Sequence, residues 1–125
     1  MINNMKTVIF VTFVSTLLAN FNYLGLQVEN PATKQWESIE CVPGSFVVNV
    51  GKILENMTKG RLRSTIHRVL DLGEERLSAP FFLEPGTYSD LYEIDTKKKW
   101  SDKKYGKWMV DYVKKFVEYK NLPSF

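Results

Sequence analysis

The feature that most constrains the fold of this chain is a pair of β-prone runs joined by a short polar turn. The runs cover residues 65–70 and 75–83, and residues 71–74 between them include a glycine. Two such runs separated by a few polar residues are typical of an antiparallel hairpin. A four-residue loop sets His67 opposite Ser78. We therefore predict a hairpin centred on this turn.

Three polar side chains share one face of the predicted hairpin. Residues opposite each other, and residues two apart on one strand, project to the same side of a sheet. This rule places His67, Arg76 and Ser78 together, on the same side as Val69. An imidazole, a guanidinium and a hydroxyl in one place are suited to holding a metal ion next to a bound carboxylate. The sequence therefore predicts a chemical site on this face.

The composition allows one domain and gives little sign of a charged partner. With 125 residues, 44% of them hydrophobic, the chain is large enough to bury an ordinary core for a single domain. The 17 basic and 14 acidic residues leave a net charge of +3, and much of the excess lies in two short lysine clusters. Such clusters are typical of a solvated face rather than a nucleic-acid surface. We therefore expect no nucleic-acid partner.

The first hydrophobic stretch, residues 7–19, has two interpretations. Its many β-branched residues favour a buried β-strand. The stretch is uncharged and follows Lys6, so it also resembles a secretory signal cleaved near Ala19, which would give a small secreted protein. It is too short for a membrane span, so we expect no membrane partner. The strand interpretation, with Cys41 as the only cysteine, favours a cytoplasmic chain.

Two further strands are predicted from apolar residues at period two. One covers residues 25–29 and the other covers 45–50. In the second strand Phe46, Val48 and Val50 share a face, and this pattern indicates that the face is buried. The polar segments that are expected to be irregular are 31–38 and 86–101.

Two helices are also predicted. Residues 52–58 are enough for two turns, with Ile53, Leu54 and Met57 facing inward. The C-terminal helix is predicted at 103–119, where aromatic and aliphatic residues recur at helical spacing and lysines occupy the other faces. Such a stripe is typical of a helix packed on the outside of a sheet.

Four blocks of sequence carry a resemblance to a known family. Those blocks are 25–28 (GLQV), 43–51 (PGSFVVNVG), 58–69 (TKGRLRSTIHRV) and 76–82 (RLSAPFF). In their order and spacing they resemble the isopenicillin N synthase-like iron(II)- and 2-oxoglutarate-dependent oxygenases. The match is specific because the resemblance spans about residues 13–85 rather than one short motif.

The resemblance implies a fold and a set of residue roles. The family's fold is a double-stranded β-helix, a jelly roll related to the cupins, so we expect a mainly β, incomplete version of it with the two helices added. In the family two histidines and one carboxylate hold the iron, and His67 corresponds to the distal histidine. Arg76 and Ser78 correspond to the pair that binds the far carboxylate of 2-oxoglutarate. The implied cofactors are Fe(II) and 2-oxoglutarate, and the implied partner is a small-molecule substrate.

The same resemblance divides the chain into three parts. Residues 1–12 are a non-matching N-terminal segment, and residues 13–85 are a partial dioxygenase domain. Residues 86–125 are a C-terminal extension that includes the helix predicted at 103–119.

The chain departs from the family at the other two iron ligands. The family carries them in a His-x-Asp or His-x-Glu motif before the first matching block, and the alignment puts Ile9 and Val11 at those positions. Neither residue type binds iron, and His67 is the only histidine in the chain. We therefore expect that the isolated chain holds neither cofactor tightly and does not turn over 2-oxoglutarate. Because the change begins abruptly near residue 12, we expect a truncated gene product rather than a degenerate relative.

Three functional hypotheses follow. The favoured one is the C-terminal part of a dioxygenase that oxidises a small organic substrate while decarboxylating 2-oxoglutarate, inactive alone. The second is a non-catalytic binding or interaction module derived from that family, and the third is the small secreted protein. An incomplete sheet would also leave unpaired strand edges, which favour association.

Overall fold

The computed structural model describes residues 7–9, 13–21, 24–116 and 119–123, which form nine strands and two helices. In chain order the strands are β1 (Thr7–Ile9), β2 (Ser15–Asn20), β3 (Leu26–Glu29), β4 (Trp36–Ser38), β5 (Phe46–Val50), β6 (His67–Val69), β7 (Ser78–Leu83), β8 (Leu91–Tyr92) and β9 (Lys99–Ser101). The helices are α1 (Lys52–Met57), between β5 and β6, and α2 (Tyr105–Val113). The prediction of a mainly β chain with two helices is confirmed.

Seven of the strands form two antiparallel sheets. The strand order is β1-β6-β3-β4 in the first sheet and β5-β2-β7 in the second. Residues of both sheets line one cavity, so the sheets are the two layers of a sandwich. The chain changes layer after almost every strand; among these seven, β3 and β4 are the consecutive strands that stay in one sheet.

The predicted hairpin is wrong. β6 pairs with β1 and β3, whereas β7 pairs with β2, and residues 70–77 carry the chain from one sheet to the other. β7 is an edge strand, where Pro80 is tolerated although it has no backbone N–H to donate. The local pattern indicated two strands but could not select their partners, because each sheet offers an antiparallel neighbour.

The buried face of β5 is the opposite of the predicted one. Phe46 and Val48 are 62% and 63% exposed, whereas Asn49 is only 7% exposed. Alternation at period two separates the two faces of a strand but does not show which one points inward. In β5 the inward face lines the cavity at Asn49, and the outward face carries Phe46 and Val48.

The first hydrophobic stretch forms two strands rather than one. β1 lies in the four-stranded sheet and β2 in the three-stranded sheet, with a bend at Phe13 and Val14 before β2. Most of the predicted segment 1–12 lies outside the described residues.

The segments predicted to be irregular also contain short strands: β4 lies within 31–38, and β8 and β9 lie within 86–101.

The C-terminal helix is shorter than the predicted 103–119. α2 ends at Val113 and is followed by a turn at 114–116, while residues 117 and 118 lie outside the described part. Tyr105 of α2 packs with Ile53 of α1 and Leu91 of β8 in a small core, which Val14 joins to the sandwich. Among the described residues, no helix has the length and apolar character needed to cross a bilayer.

Gly51 lies at the junction between the sandwich and this core. Its N–H donates to the carbonyl oxygen of Val14 at 3.0 Å, and the N–H of Ile53 donates to the carbonyl oxygen of Phe13 at 3.3 Å. A Cβ atom at Gly51 would overlap the Phe13 carbonyl group. The close approach of the two backbones therefore requires glycine at this position.

Candidate functional site

A cavity between the two sheets contains all three site residues predicted from the sequence. Its volume is about 170 Å³. His67 and Val69 line it from β6 and Leu26 from β3, while Arg76 lines it from just before β7 and Ser78 from the first position of β7. The structure thus brings His67, Arg76 and Ser78 together although the hairpin is wrong, because the two layers of the sandwich supply them from opposite sides.

His67 is buried and carries no charge near neutral pH. It is 4% exposed, and its Nδ1 atom lies 3.3 Å from the carbonyl oxygen of Thr65. A carbonyl only accepts, so this contact places the ring hydrogen on Nδ1 and leaves a lone pair on Nε2. Burial lowers the pKa of His67, and the hydrogen bond to Thr65 opposes that shift more weakly. His67 therefore has the neutral ring and free Nε2 that metal ligation requires.

We expect the fold to lose stability between pH 7 and pH 5 because of His67. The unfolded chain binds a proton near the ordinary histidine pKa of 6.5, whereas the folded chain has a lowered pKa. The unfolded state therefore binds more protons as the pH falls through 6.5, and the free energy of unfolding decreases. Melting temperatures measured across this range should show the decrease in the native chain and not in a His67→Gln variant.

The titration of Asp90 does not obscure this effect. The Lys104 ammonium lowers the pKa of Asp90 below its ordinary value of 3.8, so Asp90 stabilises the fold above that value and loses its contribution only at lower pH. Because His67 is the only histidine, an unchanged melting temperature from pH 7 to pH 5 in the native chain would contradict the buried, neutral ring.

In the part of the chain that the structure describes, the metal side of the cavity offers one ligand rather than three. Among the described residues, no group of three His, Cys, Asp or Glu side chains is suited to a metal ion. The backbone register pairs Ile9 with His67, so position 9 lies next to His67 and holds a residue type without a donor atom. Val11, the other position at which the resemblance implies a ligand, lies outside the described residues. The residues present therefore do not fit a tightly held iron ion.

The side of the cavity next to β7 suits a carboxylate. Arg76 and Ser78 are two residues apart and exposed to solvent, so a ligand can reach them. Ser78 is paired across the ladder with Asn20, which lines the same cavity. A guanidinium fork and a hydroxyl on one side of a strand match the two oxygens of a carboxylate.

Two buried polar residues in the cavity were missed by the sequence analysis. Thr16 is 5% exposed, and its hydroxyl has no hydrogen-bond partner among the described residues. Asn49, its partner across the ladder, is also buried. An unpaired buried hydroxyl costs about 1–3 kcal/mol, so a ligand or water is expected to complete it. The signal in the sequence is a polar residue inside an otherwise apolar β-run.

The comparison with protein families identifies the chain. The family model of the 2OG-Fe(II) oxygenase superfamily matches residues 11–85. The chain belongs to this superfamily. The resemblance noted in the sequence is therefore confirmed, and the superfamily implies Fe(II) and 2-oxoglutarate as cofactors.

Two oxygenase relatives show how much of the family's length is present. A 2-oxoglutarate-dependent dioxygenase from Gibberella zeae is 36% identical over 97 residues, which cover 71% of this chain and 29% of the relative. Kihadalactone A synthase LFS from Citrus sinensis is 45% identical over 73 residues, covering 56% of this chain and 22% of the relative. The chain spans less than a third of the length of either relative.

Solved structures of other oxygenases share the fold. Full-length Neurospora crassa T7H in complex with alpha-KG superposes with a TM-score of 0.75 at 23% identity, covering 90% of this chain and 38% of that one. A 2OG-Fe(II) oxygenase family protein from Caulobacter crescentus gives a TM-score of 0.70 at 25% identity, covering 90% and 40%. The predicted jelly-roll fold is confirmed.

Proposed function

We propose that this chain is the C-terminal part of an iron(II)- and 2-oxoglutarate-dependent dioxygenase. It binds 2-oxoglutarate in the cavity between the sheets and, alone, does not oxidise a substrate. One observation carries the proposal: Arg76 and Ser78 share a cavity with His67, while the register position beside His67 is an isoleucine. Membership of the superfamily supports a small organic molecule as the substrate of the complete enzyme.

In the proposed complex the second sheet holds the cosubstrate. The Arg76 guanidinium donates two N–H groups to the far carboxylate, and the Ser78 hydroxyl donates a third hydrogen bond. The Thr16 hydroxyl and the Asn49 amide lie on the inner face of the same sheet and can bind the rest of the dicarboxylate. Because the metal side does not fit an iron ion, we assign no oxidation step to this chain.

Binding of 2-oxoglutarate in the absence of metal tests the carboxylate site. We expect isothermal titration calorimetry to detect binding to the native chain and a loss of at least ~30-fold in affinity in Arg76→Ala, since a charged, forked pair is worth about 2 kcal/mol or more. Arg76→Lys keeps the charge but not the fork, so it should fall between the two.

The matched control is Arg63→Ala. Arg63 is exposed and does not line the cavity, so its removal changes the net charge by the same amount without touching the site. If circular dichroism shows both proteins folded, equal affinities of Arg76→Ala and the native chain would mean that 2-oxoglutarate does not bind at Arg76. That result would contradict the proposed carboxylate site.

The alternative function is a non-catalytic module that still binds a dicarboxylate. The exposed Arg76 and Ser78 favour it, because a carboxylate can be held there without a metal.

The secreted alternative is less favoured, since cleavage near Ala19 would remove β1 and most of β2, the central strand of its sheet. We propose a cytoplasmic location on that ground; an intact mass lacking the first 19 residues would contradict it.

A further inference from the structure

The Nε2 atom of His67 has no hydrogen-bond partner among the described residues. The contact between Nδ1 and the carbonyl oxygen of Thr65 uses the ring hydrogen, so Nε2 is an acceptor with an open lone pair. The ring is 4% exposed and lines the cavity between the sheets. A buried acceptor without a donor is unfavourable, so the cavity favours an occupant that supplies an N–H or O–H group at this position.

A metal ion would use this lone pair, but the site does not fit one. The register places Ile9 beside His67, and no group of three ligand side chains is found in the described part of the chain. The described residues that line the cavity include no Asp or Glu, so no carboxylate there holds a second proton on the ring. The lone pair is therefore left for an organic ligand.

The size of the cavity and its other polar groups limit what this ligand is. The volume of about 170 Å³ is below the ~300–1,000 Å³ of pockets for drug-sized molecules, so the ligand is small. The Thr16 hydroxyl, buried and without a partner among the described residues, belongs to the same cavity. A ligand hydroxyl can accept from Thr16 and donate to His67 at the same time, whereas an oxo group only accepts.

We propose that the cavity, without a metal, binds a dicarboxylate that carries a hydroxyl group in preference to 2-oxoglutarate, because the hydroxyl pairs with Nε2 of His67. The hydroxyl preference rests on the proposed function, since it takes the carboxylate site at Arg76 and Ser78 as given. The oxo oxygen of 2-oxoglutarate is an acceptor, so it leaves Nε2 unpaired. An ammonium group would also donate, but its charge would be buried without a protein carboxylate, which costs more than burying a hydroxyl.

Calorimetry on the metal-free native chain compares dicarboxylates of equal length that differ at one carbon. The better enantiomer of 2-hydroxyglutarate should bind about 10-fold more tightly than 2-oxoglutarate, the gain expected from one buried hydrogen bond. Glutarate, which has neither the hydroxyl nor the oxo group, should bind no better than 2-oxoglutarate. Glutarate binding as tightly as 2-hydroxyglutarate would show that the hydroxyl makes no bond to His67, and would overturn the proposal.

The nitrogen NMR signal of the imidazole gives a second readout. His67 is the only histidine in the chain, so the signal of its Nε2 is unambiguous. This signal should move toward that of a hydrogen-bonded nitrogen when 2-hydroxyglutarate is added, and much less when glutarate is added. Equal movement with both ligands would contradict the proposed bond to Nε2.

Two variants separate the hydroxyl preference from the carboxylate site. The amide of His67→Gln offers both an N–H and an oxygen, so the preference should fall to within ~2-fold, whereas Ser78→Ala should weaken both ligands and keep it. A preference that survives in folded His67→Gln would overturn the proposal. Equal affinities of the native chain for 2-hydroxyglutarate and 2-oxoglutarate would also overturn it but leave the carboxylate site intact. If neither ligand binds, the carboxylate site itself is wrong, and the hydroxyl preference fails with it.

Discussion

Replacing Gly51 with alanine should destabilise the chain strongly, because the added methyl group has no space. The backbone at Gly51 has φ −89° and ψ 169°, which any residue adopts, so the effect is steric rather than conformational. The new Cβ would overlap the Phe13 carbonyl, a backbone group that cannot rotate away. Relieving the overlap separates the bend at Phe13 and Val14 from the start of α1 and breaks the hydrogen bond from Gly51 to Val14.

We expect this change to cost about 3 kcal/mol or more, a large part of the 5–15 kcal/mol that holds a typical domain folded. Thermal unfolding followed by circular dichroism should show a melting temperature lower by ~10 °C. Gly86→Ala is the matched control, because a Cβ there meets only the Ser89 hydroxyl at 3.3 Å, which can turn aside. Equal melting temperatures for the two variants would show that the backbones at Gly51 are not in close contact.

Introducing the two missing ligand types should give the chain a metal site. The double variant Ile9→His with Val11→Asp supplies a second imidazole and a carboxylate to accompany His67. The register pairs position 9 with His67, so the new imidazole would stand on the neighbouring strand beside the existing one. Two histidines and one carboxylate form the facial set that binds divalent iron, cobalt and nickel.

The expected effect is a gain in Co(II) or Fe(II) affinity of roughly 1,000-fold over the native chain, because affinity rises steeply with each ligand held in place. Anaerobic titration of the folded protein, followed by calorimetry and by the visible spectrum of bound Co(II), measures it. Adding His67→Gln to the double variant should abolish the gain, which assigns it to the site rather than to stray surface ligands.

The metal titration of the double variant shows whether the missing ligands, rather than another defect, explain the inactivity expected of the native chain. The iron-loaded native chain should release no succinate from 2-oxoglutarate. Native release in proportion to iron would show that the chain already has a working centre. A double variant that binds metal no better than the native chain would show that position 9 and His67 do not converge.

The sequence indicated the strands better than it indicated their partners. The runs around His67 and Ser78 were recognised as strands, and so were those at 25–29 and 45–50. The sequence does not predict which strands pair with each other. Any antiparallel neighbour that covers the same face is compatible with the apolar pattern of a strand. The inverted face of β5 has the same cause: the alternation around Asn49 is visible in the sequence, but the existence of a cavity on that side is not.

The candidate site could be predicted because the family blocks contain its residues, whatever the pairing. His67, Arg76 and Ser78 were assigned from the resemblance, and the sandwich places them around one cavity. Thr16 and Asn49 are not predicted from the sequence, because their significance lies in their burial, and for the Thr16 hydroxyl in the lack of a hydrogen-bond partner among the described residues, which only the packed structure reveals. The shortage of metal ligands, by contrast, is predicted by the single histidine in the sequence.

Because the chain alternates between the two layers, its strand partners are far apart in the sequence. Ile9 pairs with His67 and Asn20 with Ser78, contacts that join residues roughly 60 positions apart, and such high contact order slows folding to the millisecond-to-second range. Neither layer can be completed from one contiguous segment. A nascent chain therefore stays without its last strand partners until β7 has been synthesised, and both layers then condense in one cooperative event.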